Sequence, residues 1–481
     1  MHRLHCHVQN YQWGKKGASS EVGLLYAAGH KKFMLDEQKP YAELWMGTHP
    51  DGPARIQGSD VRLSEHRALE ENNEGDDHLP FIMKIMAIEH TLSLQVHPTK
   101  EQATQLHDND PFHYPDRNHK PELAYALNRF ELLCGFRPAK EILINMEAFP
   151  EIKTLMGIEN CQRFKTLVKA GFRDDSNELK QALKACFTKM IYIKNHADVI
   201  VKCLEILKND LDDGVRGCLI EETVEIMKDT MQRFPGDVGC FAPLYLNHMI
   251  LEPGQCCYYA AEELHAYLSG ECVECVGCSN NTIRAGLTNK FVDKKSLIEV
   301  LNYRMTAPEY YLVPPKSLTR NVAEYAPENC ADFTLHEIKI NDELASSSTE
   351  AVLPTLECAS IIVFVSGDVE VVENGERIHQ VTRGDIYYIP KDTNVMLTRK
   401  GDKAVLAYRT LSYEDGPDHS TRINTKELSQ SDILKLRMQS ELRESVGLNN
   451  NQLEDVSVPM EVRAASMNLL TDVSGEMDGF L

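Results

Sequence analysis

The sequence predicts a mainly β protein with an α-helical insertion, built on two barrel-like β units. Three observations predict it. Short apolar runs broken by Gly, Pro and Asp occupy the first and last parts of the chain, a middle segment has the helical period, and one turn-and-strand segment occurs twice. At 481 residues the chain exceeds what one hydrophobic core usually holds, so two or three domains are expected.

Taken in order, residues 1–140 contain runs such as 81–88 and 123–127, which have strand length and end in turn residues. They are the first part of a β domain. Over 141–235 the spacing changes: Phe164, Leu167 and Val168, then Leu179, Leu183, Phe187 and Met190, then Val224, Met227 and Met231 recur at three and four. That is a helical insertion, with the charged residues between these positions forming its solvated faces. Strand patterning resumes over 236–310, which returns to the first domain. It begins again over 311–413, where Ile361 to Val365 and Val369 to Val372 lead into the hairpin signal Asn374-Gly375. The segments Pro253-Gly254-Gln255-Cys256-Cys257-Tyr258-Tyr259 and Arg383-Gly384-Asp385-Ile386-Tyr387-Tyr388 resemble each other, which suggests a repeated barrel unit. Superposing the Tyr pairs puts His265 on Asn394, so the second unit is expected to lack that imidazole, although the glycines then slip by one. Residues 414–481 read as a weakly ordered acidic tail with a short helix near 433–442, dispensable rather than regulatory.

The formal net charge of −21 argues against a nucleic-acid-binding role, which needs clustered Lys and Arg. An anionic small molecule remains compatible if a local basic pocket overrides the field. The first ten residues lack the apolar core of a signal peptide and no window has membrane-spanning character, so a cytoplasmic protein without membrane association is expected. Its fourteen cysteines then read as reduced, largely buried thiols. Cys272, Cys275 and Cys278 have the spacing that opens an iron-sulfur ligand run, but the fourth Cys followed by Pro is missing. His2, His5, Cys6 and His7 could take up adventitious metal, or be an ordinary polar terminus.

The most informative stretch is Ser93-Leu94-Gln95-Val96-His97-Pro98, because on a strand Gln95 and His97 leave the same face. Glu122 and His265 add a carboxylate and a second imidazole, and no thiolate accompanies them. That is the ligand mix of a catalytic rather than a structural zinc site. On spacing alone, a half-buried polar strand is the alternative reading.

Several segments together resemble the type I mannose-6-phosphate isomerase family: Asn10-Tyr11-Gln12-Trp13-Gly14-Lys15, Tyr41 to His49, Leu79-Pro80-Phe81 through Pro98, His119-Lys120-Pro121-Glu122, Gly135-Phe136-Arg137-Pro138, and His265 through Thr288. The likeness extends from the first residues to about Tyr413. It implies two cupin-type jelly-roll barrels with metal only in the first, and a helical domain inserted between strands. It further implies a cytoplasmic, monomeric, zinc-dependent isomerase interconverting mannose 6-phosphate and fructose 6-phosphate through an enediol, on the route to GDP-mannose. One Zn2+ per chain would be held by Gln95, His97, Glu122 and His265. Arg284, Glu274 and Lys120 match catalytic positions. Trp13, Lys84, Ser93, Asn280 and Lys290 match substrate-binding positions, where the lysines would supply the positive potential a sugar phosphate needs. Asn280 departs from the family, which usually has Asp there. Asn cannot exchange a proton, so Asp is expected to be the catalytically favourable residue, and a weakened or inactive sugar-phosphate-binding relative is the alternative. An oxidative metal cupin is the third reading, disfavoured by Gln95 as a fourth ligand.

Overall fold

His265–Gly277 forms one long strand that belongs to two sheets at once. The computed structural model describes residues 1–193, 197–341 and 349–413; the expected tail and its helix lie outside the described residues. The strands that build the first barrel are β1 Glu43–Gly47, β2 Phe81–Ile88, β3 Leu94–Val96, β4 Glu122–Ala126, β5 Phe130–Phe136, β6 Leu246–Leu251, β7 Cys256–Tyr259, β8 His265–Gly277 and β9 Ile283–Gly286. The first residues of β8 pair with β3 and β5, and its last residues pair with β2 and β4. Gly270 is the corner. Its φ is +107°, and a Cβ there would lie 2.4 Å from the carbonyl oxygen of Arg129, so only glycine lets the strand pass from one sheet to the other.

All eight residues of β2 are buried, because both faces are covered. Phe81, Met83, Ile85 and Ala87 join an apolar cluster with Leu123, Tyr125, Val273 and Cys275 from β4 and β8, and with Leu335, Ile361, Val363 and Tyr408 from the second barrel. Ile82 and Met86 face the other way with Trp45, Val276, Ala124 and Cys272. Strand alternation therefore puts Lys84, Glu43, Glu122 and Glu274 on the interior side. The same alternation disposes of the cysteine run. Residues three apart on a strand point to opposite faces, so Cys272 joins the barrel interior, Cys275 the inter-barrel cluster and Cys278 a third cluster with Trp45.

The helices expected between 141 and 235 run from Ala139–Ala148 to Glu221–Arg233 and are inserted between β5 and β6. Phe164, Leu183, Phe187, Val224 and Met227 share one core with Leu94, Val96, Phe136 and Ile283 of the barrel, so the insertion seals one part of the barrel wall. In the second barrel, one sheet contains Thr334–Ile340, Val405–Leu411, Ser360–Ser366 and Ile386–Ile389, and the other contains Val395–Lys400 and Asp368–Glu373. Its interior is apolar: Ile338, Ile362, Phe364, Val371 and Leu397 fill it. Asn374 and Gly375 both have positive φ, as a tight hairpin turn requires. The chain's first strand, His2–His5, pairs with this sheet through His2 with Tyr388 and Arg3 with Tyr387.

The repeat is real, but its register follows the glycines. Gly254 and Gly384 take positive φ two residues before strands that start at Cys256 and Ile386, Glu262 and Asp392 are both left-handed, and the next strands start at His265 and Val395. The position equivalent to His265 is thus the buried Val395, not Asn394. Asn394 instead accepts from Thr355 Oγ1 at 2.6 Å. A turn that demands a left-handed residue sets register more strictly than a pair of like side chains.

Gly270→Ala is expected to destabilise the protein by about 1–3 kcal/mol or more, from backbone strain and the Arg129 contact together. A urea unfolding curve reads this as a lower midpoint; an unchanged midpoint would mean the strand turns its corner by other means.

Candidate metal centre and active site

Directly paired residues on antiparallel strands share a face, and Gln95 is paired with His265 on one side and Arg284 on the other. His97 follows two residues later. Glu122 opens β4 opposite Tyr259. His97, Glu122 and His265 are 1%, 2% and 2% exposed, and their ligand atoms all lie within 4.8 Å of one another. Glu122 Oε1 is 3.1 Å from His97 Nε2, and Oε2 is 3.6 Å from His265 Nε2. Tetrahedral zinc with bonds near 2.0–2.1 Å places its ligand atoms about 3.3 Å apart, close to the separation of Glu122 Oε1 from His97 Nε2.

Both imidazoles are set in the tautomer a metal needs. His97 Nδ1 lies 2.7 Å from the carbonyl oxygen of Asn281, and His265 Nδ1 lies 2.9 Å from that of Glu263. A carbonyl only accepts, so each Nδ1 carries the proton and each Nε2 turns its lone pair inward. His265 Nε2 is buried and makes no hydrogen bond. Burial pushes the His265 imidazole down to about 4, so it is neutral at physiological pH. Burial opposes ionisation of Glu122, but the charge of Lys120, with Nζ 3.3 Å from Oε1, leads the neighbours that hold the carboxyl well below its ordinary value. Gln95 Nε2 is 3.4 Å from His97 Nε2, while Oε1 accepts from Ser93 Oγ at 3.0 Å. A half-turn of this amide presents the oxygen to a cation and lets the NH2 donate to Ser93 instead. The residues therefore fit a zinc ion.

Behind this group lies a buried network of charges. Lys84 Nζ is 2.8 Å from Glu274 Oε2, 3.5 Å from Glu43 Oε2 and 5.1 Å from the centre of the Trp45 ring. Trp45 Nε1 in turn donates to Glu43. Burial works against the Lys84 charge, but the two carboxylates outweigh it and raise its pKa. Burial raises Glu274, with Lys84 pulling the other way. Tyr259 donates to Glu122 Oε2 at 2.6 Å, and burial with the adjacent carboxylate keeps its phenol protonated. Glu43, Trp45 and Tyr259 were missed as site residues; the period-two alternation of β1 and β7 was the signal that could have found them.

Arg284 and Lys290 are cations without carboxylates. Among the described residues neither has an ion-pair partner, and burial lowers both, with the Arg284 charge adding to the effect on Lys290. Two neighbouring cations left uncompensated on so acidic a protein suit a dianion. Trp13 is half-buried against the interior cluster and stacks on Tyr11 with ring centres 5.7 Å apart. Asn280 is exposed in the middle of the loop between β8 and β9, its backbone N–H donating to Asp116 Oδ2 at 2.8 Å and its side-chain amide to Asp51 Oδ2 at 2.7 Å. That Asp51 carboxylate lies 3.9 Å from Nδ1 of the buried His49, whose imidazole burial pushes down to about 4.

Residues 1–139 match the catalytic domain of phosphomannose isomerase type I, and residues 155–246 match its helical insertion domain. The mannose-6-phosphate isomerase of Mus musculus is 38% identical over 423 residues, covering 84% of this chain and 97% of that one. The human mannose-6-phosphate isomerase is 37% identical over 422 residues with the same shares. In fold, the chain is similar to the Salmonella typhimurium mannose 6-phosphate isomerase bound to its substrate and zinc, with a TM-score of 0.69 at 24% identity, over 86% of this chain and 99% of that one.

Tyr259→Phe removes the donor that holds Glu122 Oε2. Metal affinity is expected to fall about 10–100-fold, as for other partners that orient a ligand. Competition with a chromophoric chelator measures it; unchanged affinity would mean the phenol does not orient Glu122.

Proposed function

This chain belongs to the type I phosphomannose isomerase family, and from that premise we propose that it interconverts mannose 6-phosphate and fructose 6-phosphate with one zinc ion per chain. The observation that carries this reading is the convergence of two neutral, tautomer-fixed imidazoles and one ionised carboxylate beside the uncompensated Arg284 and Lys290. Bound zinc would supply Lewis acidity toward the oxygens of an open-chain sugar.

The chain's own groups divide the remaining work. The reaction takes a proton from C2 of the aldose and returns one to C1 through an enediol, so it needs a group that can both accept and donate near neutral pH. Glu274 is that group: its carboxyl is raised by burial, and Lys84 at 2.8 Å stabilises the ionised form when the proton leaves. Lys120, held against Glu122, brings positive charge to the developing oxyanion. Arg284 and Lys290 receive the phosphate or the anionic oxygens, and Ser93 acts through Gln95.

Asp51 answers the doubt raised by Asn280. A carboxylate does stand beside position 280, contributed by Asp51, gripped by the Asn280 amide and placed 3.9 Å from His49 Nδ1. This favours a working enzyme over an inactive relative. We assign to Asp51 and His49 the proton handling of ring opening. Among the described residues no helix is long and apolar enough to cross a membrane, and fourteen free thiols support a cytoplasmic location. The apolar outer faces of β2, β4 and β8 are covered within the chain, which supports a monomer.

A coupled isomerase assay with metal analysis tests the whole reading, and inactive protein with full zinc would favour the binding-protein alternative. Within that assay, Arg284→Lys is expected to lower kcat/KM about 10–100-fold, the value of charge-assisted hydrogen bonds that a point charge cannot replace, with zinc content unchanged. Zinc loss in this variant would reassign Arg284 to the metal site.

Asp51→Asn is expected to lower kcat at least about 100-fold, the lower range of general acid-base catalysis, with zinc unchanged. The exchanged pair Asp51→Asn with Asn280→Asp should recover part of that loss, because the carboxylate returns to the same few ångströms. Asn280→Asp alone should not raise the rate, since it removes the amide that donates to Asp51 and sets a like charge in its place. Full activity of Asp51→Asn would end the assignment.

A further inference from the structure

A second set of metal-ligating side chains lies outside this site, where the chain's first strand meets Leu63–Glu70, the helix α1 that precedes β2. His2, His66 and Glu70 each offer a ligand atom, and those atoms all lie within 4.8 Å of one another. His66 and Glu70 are four residues apart on α1 and so occupy one face. His2 is brought to them because its strand is hydrogen-bonded to Ile386–Ile389, with His2 opposite Tyr388.

The geometry is poor for hydrogen bonding and good for a cation. Glu70 Oε1 is 3.3 Å from His2 Nε2 and 3.2 Å from His66 Nε2, so a single oxygen faces two imidazole nitrogens at more than the usual charge-assisted distance. His66 Nε2 is buried yet makes no well-aligned hydrogen bond. Both separations match the spacing of about 3.3 Å expected between ligands of tetrahedral zinc. The imidazoles meet edge to face with centres 4.3 Å apart, so they are not stacked. Glu70 Oε2 is held by Tyr388 at 3.1 Å, the kind of outer partner that orients a ligating carboxylate. The nearby Arg67 is ion-paired with Asp77 at 3.1 Å, so its charge is already balanced.

We propose that His2, His66 and Glu70 form a second, exchangeable site for a divalent cation of borderline softness, zinc first among them. Two imidazoles and one carboxylate make that selection, and hard oxygen-seeking cations are poorly served by them. Since Glu70 is exposed, a fourth position stays open to water. The site bridges three elements distant in sequence: the first strand, α1 and, through Tyr388, the second barrel. Occupancy therefore clamps the start of the chain to the fold and raises its stability by mass action, without touching the isomerase pocket.

Equilibrium dialysis of the full-length protein with Zn2+ alone tests this. Wild type should bind one more equivalent of zinc than His66→Gln or His2→Gln, with isomerase turnover equal in all three. Each substitution should weaken this second binding at least about 10–100-fold, and added zinc should raise the Tm of wild type beyond that of either variant. His2→Gln decides the matter if the half-buried His66 is needed for folding. Equal zinc binding and equal zinc-induced shifts in wild type and variants would overturn the proposal, and so would a loss of the catalytic metal alone.

Discussion

The first barrel is organised around one electrostatic constraint: a carboxylate buried to 2% exposure must be surrounded by groups that stabilise its charge. Glu122 meets it with Lys120 on one oxygen and Tyr259 on the other, while the lone pairs of the two imidazole Nε2 atoms face it across the space a cation would fill. Each partner comes from a different element, so satisfying Glu122 positions β3, β4, β7 and β8 relative to one another. The imidazoles are anchored in turn by carbonyl groups of Asn281 and Glu263. A site whose orientation is set by backbone carbonyls on rigid strands is pre-formed, which is what a Lewis-acid centre requires.

The second barrel supports this centre without entering it. The cluster that fills its interior is aliphatic apart from Phe364 and Tyr387, and Val395 stands where the first barrel has His265. Its outer sheet face instead covers Phe81, Met83 and Ile85 of β2, the strand whose opposite face carries Lys84. A polar contact reinforces the cover: His119 Nε2 is 2.8 Å from Asp332 Oδ1, one residue before Lys120. The duplicated unit thus buries the back of the catalytic strands, and burial is what raises Glu274 and keeps His265 neutral.

Much of the fold was legible because its signals are local. The three-and-four spacing of Leu179, Leu183, Phe187 and Met190 reports a buried helix face wherever that helix packs, and Asn374-Gly375 carries its turn geometry in its own φ preferences. The ligand residues were legible only in part: Gln95 and His97 share a strand face, whereas Glu122 and His265 needed the family likeness to join them. Glu43, Trp45, Tyr259 and Asp51 escaped because each acts on a residue far along the chain. Asn280 shows the same limit from the other side, since a missing Asp at one position says nothing about a carboxylate arriving from another.

The sequence by itself determined a β-rich chain with a helical insertion and a strongly acidic net charge, because composition and periodicity act over a few residues, and its likeness to the family supplied the residues of a zinc site. Tertiary structure alone decided which atoms meet: that Nε2 rather than Nδ1 of each histidine faces Glu122, that Lys84 is shared by two carboxylates, that Asp51 reaches Asn280, and that His2 arrives beside His66 and Glu70. Those are outcomes of strand register and desolvation. Register is set by glycines and turns elsewhere in the chain, and desolvation depends on everything packed around a group, so neither can be read from the residue that feels it.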